Sequence, residues 1–326
     1  MSAPLTSAPV SPQEPISPDP RYTTKYDTVL GHRMAYVETG SGDHTVVFVH
    51  GNPTSKYMWR NVMSRCETLG RVVAPDLIGM GESAKVEGGE HDRYDLKEQC
   101  RYFAAFMEEV VGGGDVTLVG HSWGGTIAAH WGSFNPGRVR GLVCLEVVYV
   151  PFSCWEDVPK KIRGGVKLLK RRPFKFGCCE FDLGKFLIMK KNLMVESMVD
   201  RVERSDFVKE GPEMTHYRTG FEDVESRAPV LAFVRSIPVA GEPKEVVDIM
   251  GAGRRWIVEE GMEMPKLFFS VEPGTMMDAD RDFIRSWTNV TEVGVSGGHM
   301  ATEDSPREVG DAIAKWFREK VLTVQD

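Results

Sequence analysis

Val116-Thr-Leu-Val-Gly-His-Ser-Trp-Gly-Gly125 decides how this chain is read. Its first four residues form a β-branched and aliphatic run, as in a strand buried on both faces. The run breaks into Gly120-His121-Ser122-Trp123-Gly124, which fits the pattern G-x-S-x-G, and a helical stretch runs on from Gly124 to Phe134. Strand, sharp turn and helix in that order lift a serine hydroxyl clear of the backbone, and the flanking glycines let the turn pass close to its neighbours. Ser122 is therefore the candidate nucleophile.

A serine hydroxyl is weakly nucleophilic near neutral pH and needs an adjacent base. His299, in Gly297-Gly298-His299-Met300, follows the last expected strand and suits the chain order serine, acid, histidine. The histidines at 32, 44, 91, 130 and 216 fall in a hairpin, before a strand, in a charged loop, within a helix and in an insertion. An oxyanion needs N–H groups facing the nucleophile. His50-Gly51-Asn52-Pro53 closes a buried strand in the right order for this, so the N–H groups of Asn52 and Trp123 are the expected donors, with His50 buttressing the loop. Two regions compete for the acid. Glu146 ends an apolar strand, where a lone carboxylate needs a partner. Glu272 and Asp278 follow a later strand. Position alone leaves the choice open.

Working outward from the elbow, strands and helices alternate. Tyr26–Leu30 and Arg33–Glu38 read as antiparallel strands around the turn Gly31-His32. Thr45–His50, Arg71–Pro75, Asp115–Gly120, Arg140–Glu146, Lys266–Val271 and Val290–Val295 read as further strands. Helical periodicity covers Leu96–Val111 and Ser305–Val321. The alternation implies an α/β fold, a mostly parallel sheet with helices on both faces. Residues 151–240 break the rhythm. They are rich in Lys, Met, Phe and Pro and read as a helical insertion over the carboxyl edge of the sheet, where ligands bind in open α/β sheets. Six of the nineteen prolines fall in the first twenty residues, so 1–22 is expected to be a disordered arm. The division is then 1–22 arm, 23–150 and 241–326 core, and 151–240 lid.

The chain has 326 residues, 41% of them apolar, a net charge of −7 and a pI near 5.7. That balance argues against general affinity for nucleic acid or anionic membrane. The basic stretch Lys160 to Lys175 reads as a solvated helix face, with a contact site for an acidic partner or membrane surface as the alternative. No run reaches the ~20 apolar residues of a membrane span, and the N-terminus lacks the basic and apolar regions of a secretory signal. A cytoplasmic protein without stable membrane insertion is the expectation. The six cysteines form no C-x-x-C pair, so free thiols are expected and no metal site.

With these residues laid out, the chain resembles the haloalkane dehalogenase family of the α/β-hydrolase fold, including the coelenterazine luciferases that share it. The likeness runs from about Thr24 to Val321. It is carried by His50-Gly-Asn-Pro-Thr-Ser-Lys-Tyr-Met-Trp-Arg-Asn61, Pro75-Asp-Leu-Ile-Gly-Met-Gly81, Ser236-Ile-Pro-Val-Ala-Gly-Glu-Pro243, Lys266-Leu-Phe with Glu272-Pro-Gly274, and Gly298-His-Met with Glu303-Asp-Ser-Pro306. The resemblance implies a triad on Ser122, Glu146 and His299, which selects Glu146 as acid with Asp278 second. It also implies anion-binding side-chain N–H groups on Asn52 and Trp123. Residue 122 departs from the pattern, since the family's dehalogenases carry Asp there. A carboxylate displaces halide to give an ester that water can cleave, whereas a serine would leave an ether with no carbonyl to attack. Ser122 suits acyl transfer instead. The expected function is a cofactor-free serine hydrolase acting on a small to medium apolar carboxylic ester or lactone. Dehalogenase or epoxide hydrolase chemistry, a luciferase-like oxygenase and a ligand-binding module are the alternatives.

Overall fold

The computed structural model describes residues 16–88, 91–170, 174–176 and 179–324. Ten strands are β1 (Lys25–Val29), β2 (His32–Thr39), β3 (Thr45–Val49), β4 (Arg71–Pro75), β5 (Val116–His121), β6 (Val139–Leu145), β7 (Phe174–Phe176), β8 (Cys179–Phe181), β9 (Lys266–Pro273) and β10 (Val290–Gly297). Eight of them form one sheet in the order β1-β2-β4-β3-β5-β6-β9-β10. β2 runs antiparallel to β1 and β4, and every other pairing is parallel. The expected fold class, α/β-hydrolase with a mostly parallel sheet flanked by helices, is the one observed.

The central strands read as unbroken apolar runs because helices cover both faces. Successive residues of β3 serve opposite layers, as the two-residue period of a strand requires. Val47 and Val49 pack with Leu118, Leu142 and Phe268 on one face. Val46 and Phe48 pack with Val119, Val143, Leu145 and Phe269 on the other. The helices Leu96–Phe106, Trp123–Phe134 and Lys244–Val258 supply the first layer, and Pro306–Trp316 supplies the second.

A buried ion pair joins distant parts of the second layer. Arg60 Nη1 lies 2.5 Å from Glu303 Oε1 and Nη2 donates to Oε2 at 2.9 Å, while Tyr217 donates its hydroxyl to Oε1 at 2.5 Å. The same arginine fixes the start of the chain. Its Nε donates to the Ser17 carbonyl at 2.7 Å, Asn61 Nδ2 donates to that oxygen at 3.0 Å, and the Tyr57 hydroxyl donates to the Pro18 carbonyl. Residues 16–22 of the expected disordered arm are thus held on the body. Composition misreads them because side-chain donors capture their carbonyls without any core of their own. The rest of the arm lies outside the described residues.

The insertion leaves the core after β6 and returns before Lys244. Its two ends meet: Phe152 N–H donates to the Pro238 carbonyl at 3.1 Å, and Ala240 N–H donates back to Phe152 at 2.9 Å. It contains the helices Lys160–Leu169, Pro212–Arg218 and Ala228–Arg235 and several single turns. It also contains the antiparallel pair β7–β8, a small addition to the mainly helical expectation. Of the basic stretch, 160–169 is helical, and Lys170, half-buried, donates its ammonium to the Arg235 carbonyl at 2.7 Å. Among the described residues, no helix is long and apolar enough to cross a membrane.

Candidate active site

The carboxyl ends of β3, β5, β6, β9 and β10 converge on one point, and the loops that leave them carry the candidate residues. Ser122 stands between β5 and its helix at φ 53°, ψ −128°, a region costing on the order of 1–3 kcal/mol for a residue with a Cβ. Two close approaches hold it there. A Cβ on Gly124 would sit 2.1 Å from the Val49 carbonyl, and one on Gly51 would sit 2.7 Å from the Ser122 Cβ. The β3 loop therefore passes directly across the face of the serine.

That loop is fixed from behind by His50. Its Nδ1–H donates to the Gly51 carbonyl at 2.8 Å and its Nε2 accepts the Leu77 N–H at 3.0 Å. Burial lowers its pKa, so this imidazole is a neutral strut, as expected. Asn52 and Trp123 flank the serine. Asn52 Nδ2 reaches the Val230 carbonyl at 3.5 Å, and its buried Oδ1 has no partner among the described residues. The Trp123 ring lies 6.1 Å from Phe233, on the insertion helix Ala228–Arg235. The insertion therefore roofs the site.

His299 and Glu146 are brought together from β10 and β6, with Nδ1 3.3 Å from Oε2. Glu146 is buried and sits at φ 51°. Burial works to raise its pKa, but hydrogen bonds from His299 and from the N–H and hydroxyl of Thr275 outweigh it and hold the carboxylate below its ordinary range. Neither rival acid reaches the histidine. Glu272 is exposed and pairs with Arg281 at 3.4 Å, and Asp278 is exposed at the head of the helix Asp278–Arg285. The strand β9 runs two residues further than expected, to Pro273, which turns Glu272 outward at its end.

Three residues that sequence reasoning passed over complete the arrangement. Thr275 donates its hydroxyl to Glu146 Oε2 at 2.7 Å and lies 2.8 Å from His299 Nδ1. His121, inside the elbow motif, donates its Nε2–H to the His299 carbonyl at 2.8 Å. Burial first, and the neighbouring charge of His299 next, push its pKa well down, so this second imidazole stays neutral. Asp304 accepts the Gly298 N–H on one oxygen at 2.8 Å and the N–H groups of Glu203 and Arg204 on the other. Only a hydroxyl two residues past Glu272-Pro273 and a second histidine beside the serine hinted at these roles. Among the described residues, no group of three or more His, Cys, Asp or Glu could hold a metal ion.

Residues 44–170 match the family model of the alpha/beta hydrolase fold. A haloalkane dehalogenase of Mycolicibacterium smegmatis is 37% identical over 304 residues, covering 92% of this chain and 93% of that protein. One from Sphingobium indicum is 38% identical over 296 residues, 90% of this chain and 95% of that protein. Among solved structures, haloalkane dehalogenase DbeA from Bradyrhizobium elkani superposes with a TM-score of 0.82 at 31% identity, over 92% of this chain and 99% of that one.

Proposed function

This chain belongs to the haloalkane dehalogenase family of α/β hydrolases, and from that premise we propose that it is a serine hydrolase that cleaves carboxylic esters or lactones through an acyl-enzyme on Ser122. The observation that carries the reading is the hydroxyl on the strained elbow, with the His299–Glu146 pair on the loops beside it. Ser122 Oγ attacks the carbonyl and gives its proton to His299 Nε2. The tetrahedral oxyanion is held by the N–H groups of Asn52 and Trp123. The carbonyl re-forms as the alcohol leaves with the proton from His299. Water, deprotonated by the same histidine, then frees the acid and restores the serine. Glu146 accepts the Nδ1–H, fixing the tautomer and stabilising the imidazolium. Asn52 and Trp123 side chains, which hold the halide in the family resemblance, line the leaving-group side.

The test is labelling with a fluorophosphonate probe beside turnover of p-nitrophenyl esters. Wild type is expected to label at Ser122 and to turn over, and Ser122→Ala to do neither, with a rate loss of roughly 10⁴-fold or more. Wild type that neither labels nor turns over overturns the reading.

A second reading, carbon–halogen cleavage, is favoured by the relatives named for it. On Ser122 it would end after one displacement, at the ether. Sustained halide release by wild type would establish it and would require a different nucleophile.

A further inference from the structure

Arg201 closes the single turn Ser197–Arg201 of the insertion and lies against the histidine loop. Its carbonyl accepts the Met300 N–H at 3.1 Å, and a Cβ on Gly298 would come within 2.5 Å of the same oxygen. The residues on either side of His299 are therefore in contact with the Arg201 backbone. Asp304 ties the two segments together from the other side, through its bonds to Gly298, Glu203 and Arg204.

The side chain starts at that loop and reaches across to Met194, whose sulfur lies 3.8 Å from Nη2. Met194 packs on the core layer that holds Trp123 and Phe233, while Met300 and Met198 belong to the opposite layer. A guanidinium spanning these two groups stands beside the loop that carries His299. Its charge is close enough to contribute to the low pKa of His121, behind burial, His299 and His50.

Among the described residues, that methionine sulfur is the only hydrogen-bond contact of the guanidinium, and no carboxylate forms an ion pair with it. Its neighbour Asp200 is exposed and acts on it only through the field. Burial lowers its pKa. A guanidinium carries five donors in a planar fork, and this one is only partly buried, so its remaining donors are open to an incoming acceptor. The buried carboxylate of the site, Glu146, is already engaged by Thr275 and His299. The chain thus keeps a partly buried cation among methionines beside its catalytic histidine and supplies it with no acceptor oxygen.

We propose that Arg201 is a specificity-determining residue that binds a carboxylate on the substrate, so that the ester cleaved at Ser122 is a half-ester whose apolar acyl chain ends in an anion. The inference rests on the serine-hydrolase reading for its chemistry, but the binding of the anion can be tested apart from it. The two carboxylate oxygens take parallel N–H bonds from the guanidinium, while the chain between anion and ester lies along Met194, Trp123 and Phe233.

The experiment compares p-nitrophenyl half-esters of succinate, glutarate and adipate with their neutral methyl-ester counterparts, for wild type, Arg201→Lys and Arg201→Met. The readout is the ratio of kcat/KM for the anionic and neutral ester of one chain length. Wild type is expected to prefer the anion at one length at least. The ratio should fall on the order of 10- to 100-fold in R201M, with R201K between them because it keeps charge but loses the fork. Circular dichroism establishes that each variant is folded, and R201K carries the test if R201M is not. No preference at any length in wild type, or the same ratio in all three proteins, overturns the proposal. If wild type turns over no ester, the reading of Ser122 fails separately. Arg201 is then tested by calorimetric titration with the non-cleavable monoanilides of the same diacids. Binding that needs the carboxylate and is lost in R201M upholds the site, and equal or absent binding in both proteins overturns it.

Discussion

The hydroxyl of Thr275 lies 2.8 Å from Nδ1 of His299, nearer than the carboxylate of Glu146 at 3.3 Å. The histidine is therefore oriented by an acid and a hydroxyl together, the hydroxyl itself donating to the acid at 2.7 Å. Such partners set tautomer and ring orientation, and changing an outer partner of this kind typically costs 10- to 100-fold. Thr275→Val should lower kcat on p-nitrophenyl esters by about tenfold with little change in KM, and Thr275→Ser should restore it. An unchanged kcat in the valine variant, with Glu146 still required, would make the hydroxyl structural only.

Replacing the nucleophile should redirect the chemistry. Ser122→Asp places on the elbow a carboxylate that can displace halide and leave an ester, which water can hydrolyse. The variant is expected to release many bromide ions per molecule from 1,2-dibromoethane, and wild type no more than one. Mass spectrometry of the wild-type protein distinguishes a stable ether adduct on Ser122 from no reaction.

Asp280 gives a pH dependence whose sign is unusual for a carboxylate. It is buried and accepts the N–H groups of Tyr149 and Val150 on one oxygen, yet burial outweighs them and raises its pKa to about 6. A folded pKa above the unfolded one means that the folded chain binds more protons between about pH 4 and pH 6. Stability therefore falls as pH rises through that window and remains lower above it. Asp280→Asn keeps an acceptor for both N–H groups and removes the charge. Its melting temperature, relative to wild type, is expected to be a few degrees better at pH 8 than at pH 4, from a gain of at most roughly 3 kcal/mol. An equal difference at both pH values would show that Asp280 is ionised without penalty.

The Arg60–Glu303 pair is buried at both ends. Removing one partner leaves an uncompensated charge, so Arg60→Met or Glu303→Leu should each lose stability, by about 3–5 kcal/mol for the full charge mismatch. The double variant Arg60→Met, Glu303→Leu should recover much of that loss. Urea denaturation measures all four proteins, and strictly additive losses would mean that the two side chains act independently.

Much of the frame could be read from the chain, because burial on both faces leaves a plain signature. Thr45–His50, Arg71–Pro75 and the run before the elbow lie within a residue of the observed strands. The helix Lys244–Val258 goes beyond the expectation, although Val246, Ile249, Met250, Trp256 and Ile257 keep helical spacing, because Gly251 and Gly253 interrupt the pattern. Glu146 was legible as a carboxylate that had to find a partner. Which partner it finds is set by loops 129 and 153 residues away. No local pattern encodes that, so Asp304 carries no mark of its role, Thr275 only its place after Glu272-Pro273, and Glu272 and Asp278 are rivals in the sequence that the longer strand β9 turns away from the histidine.

The bonded ends of the insertion at Phe152 and Ala240 make the roof over the serine a separable cassette. A segment whose entry and exit share one clasp can be lengthened, shortened or exchanged without shifting the strands below it. Hydrolytic machinery and ligand choice are then inherited from different stretches of the gene. A graft between relatives cut at these two positions should carry the donor's preference for its substrate onto the recipient's catalytic residues.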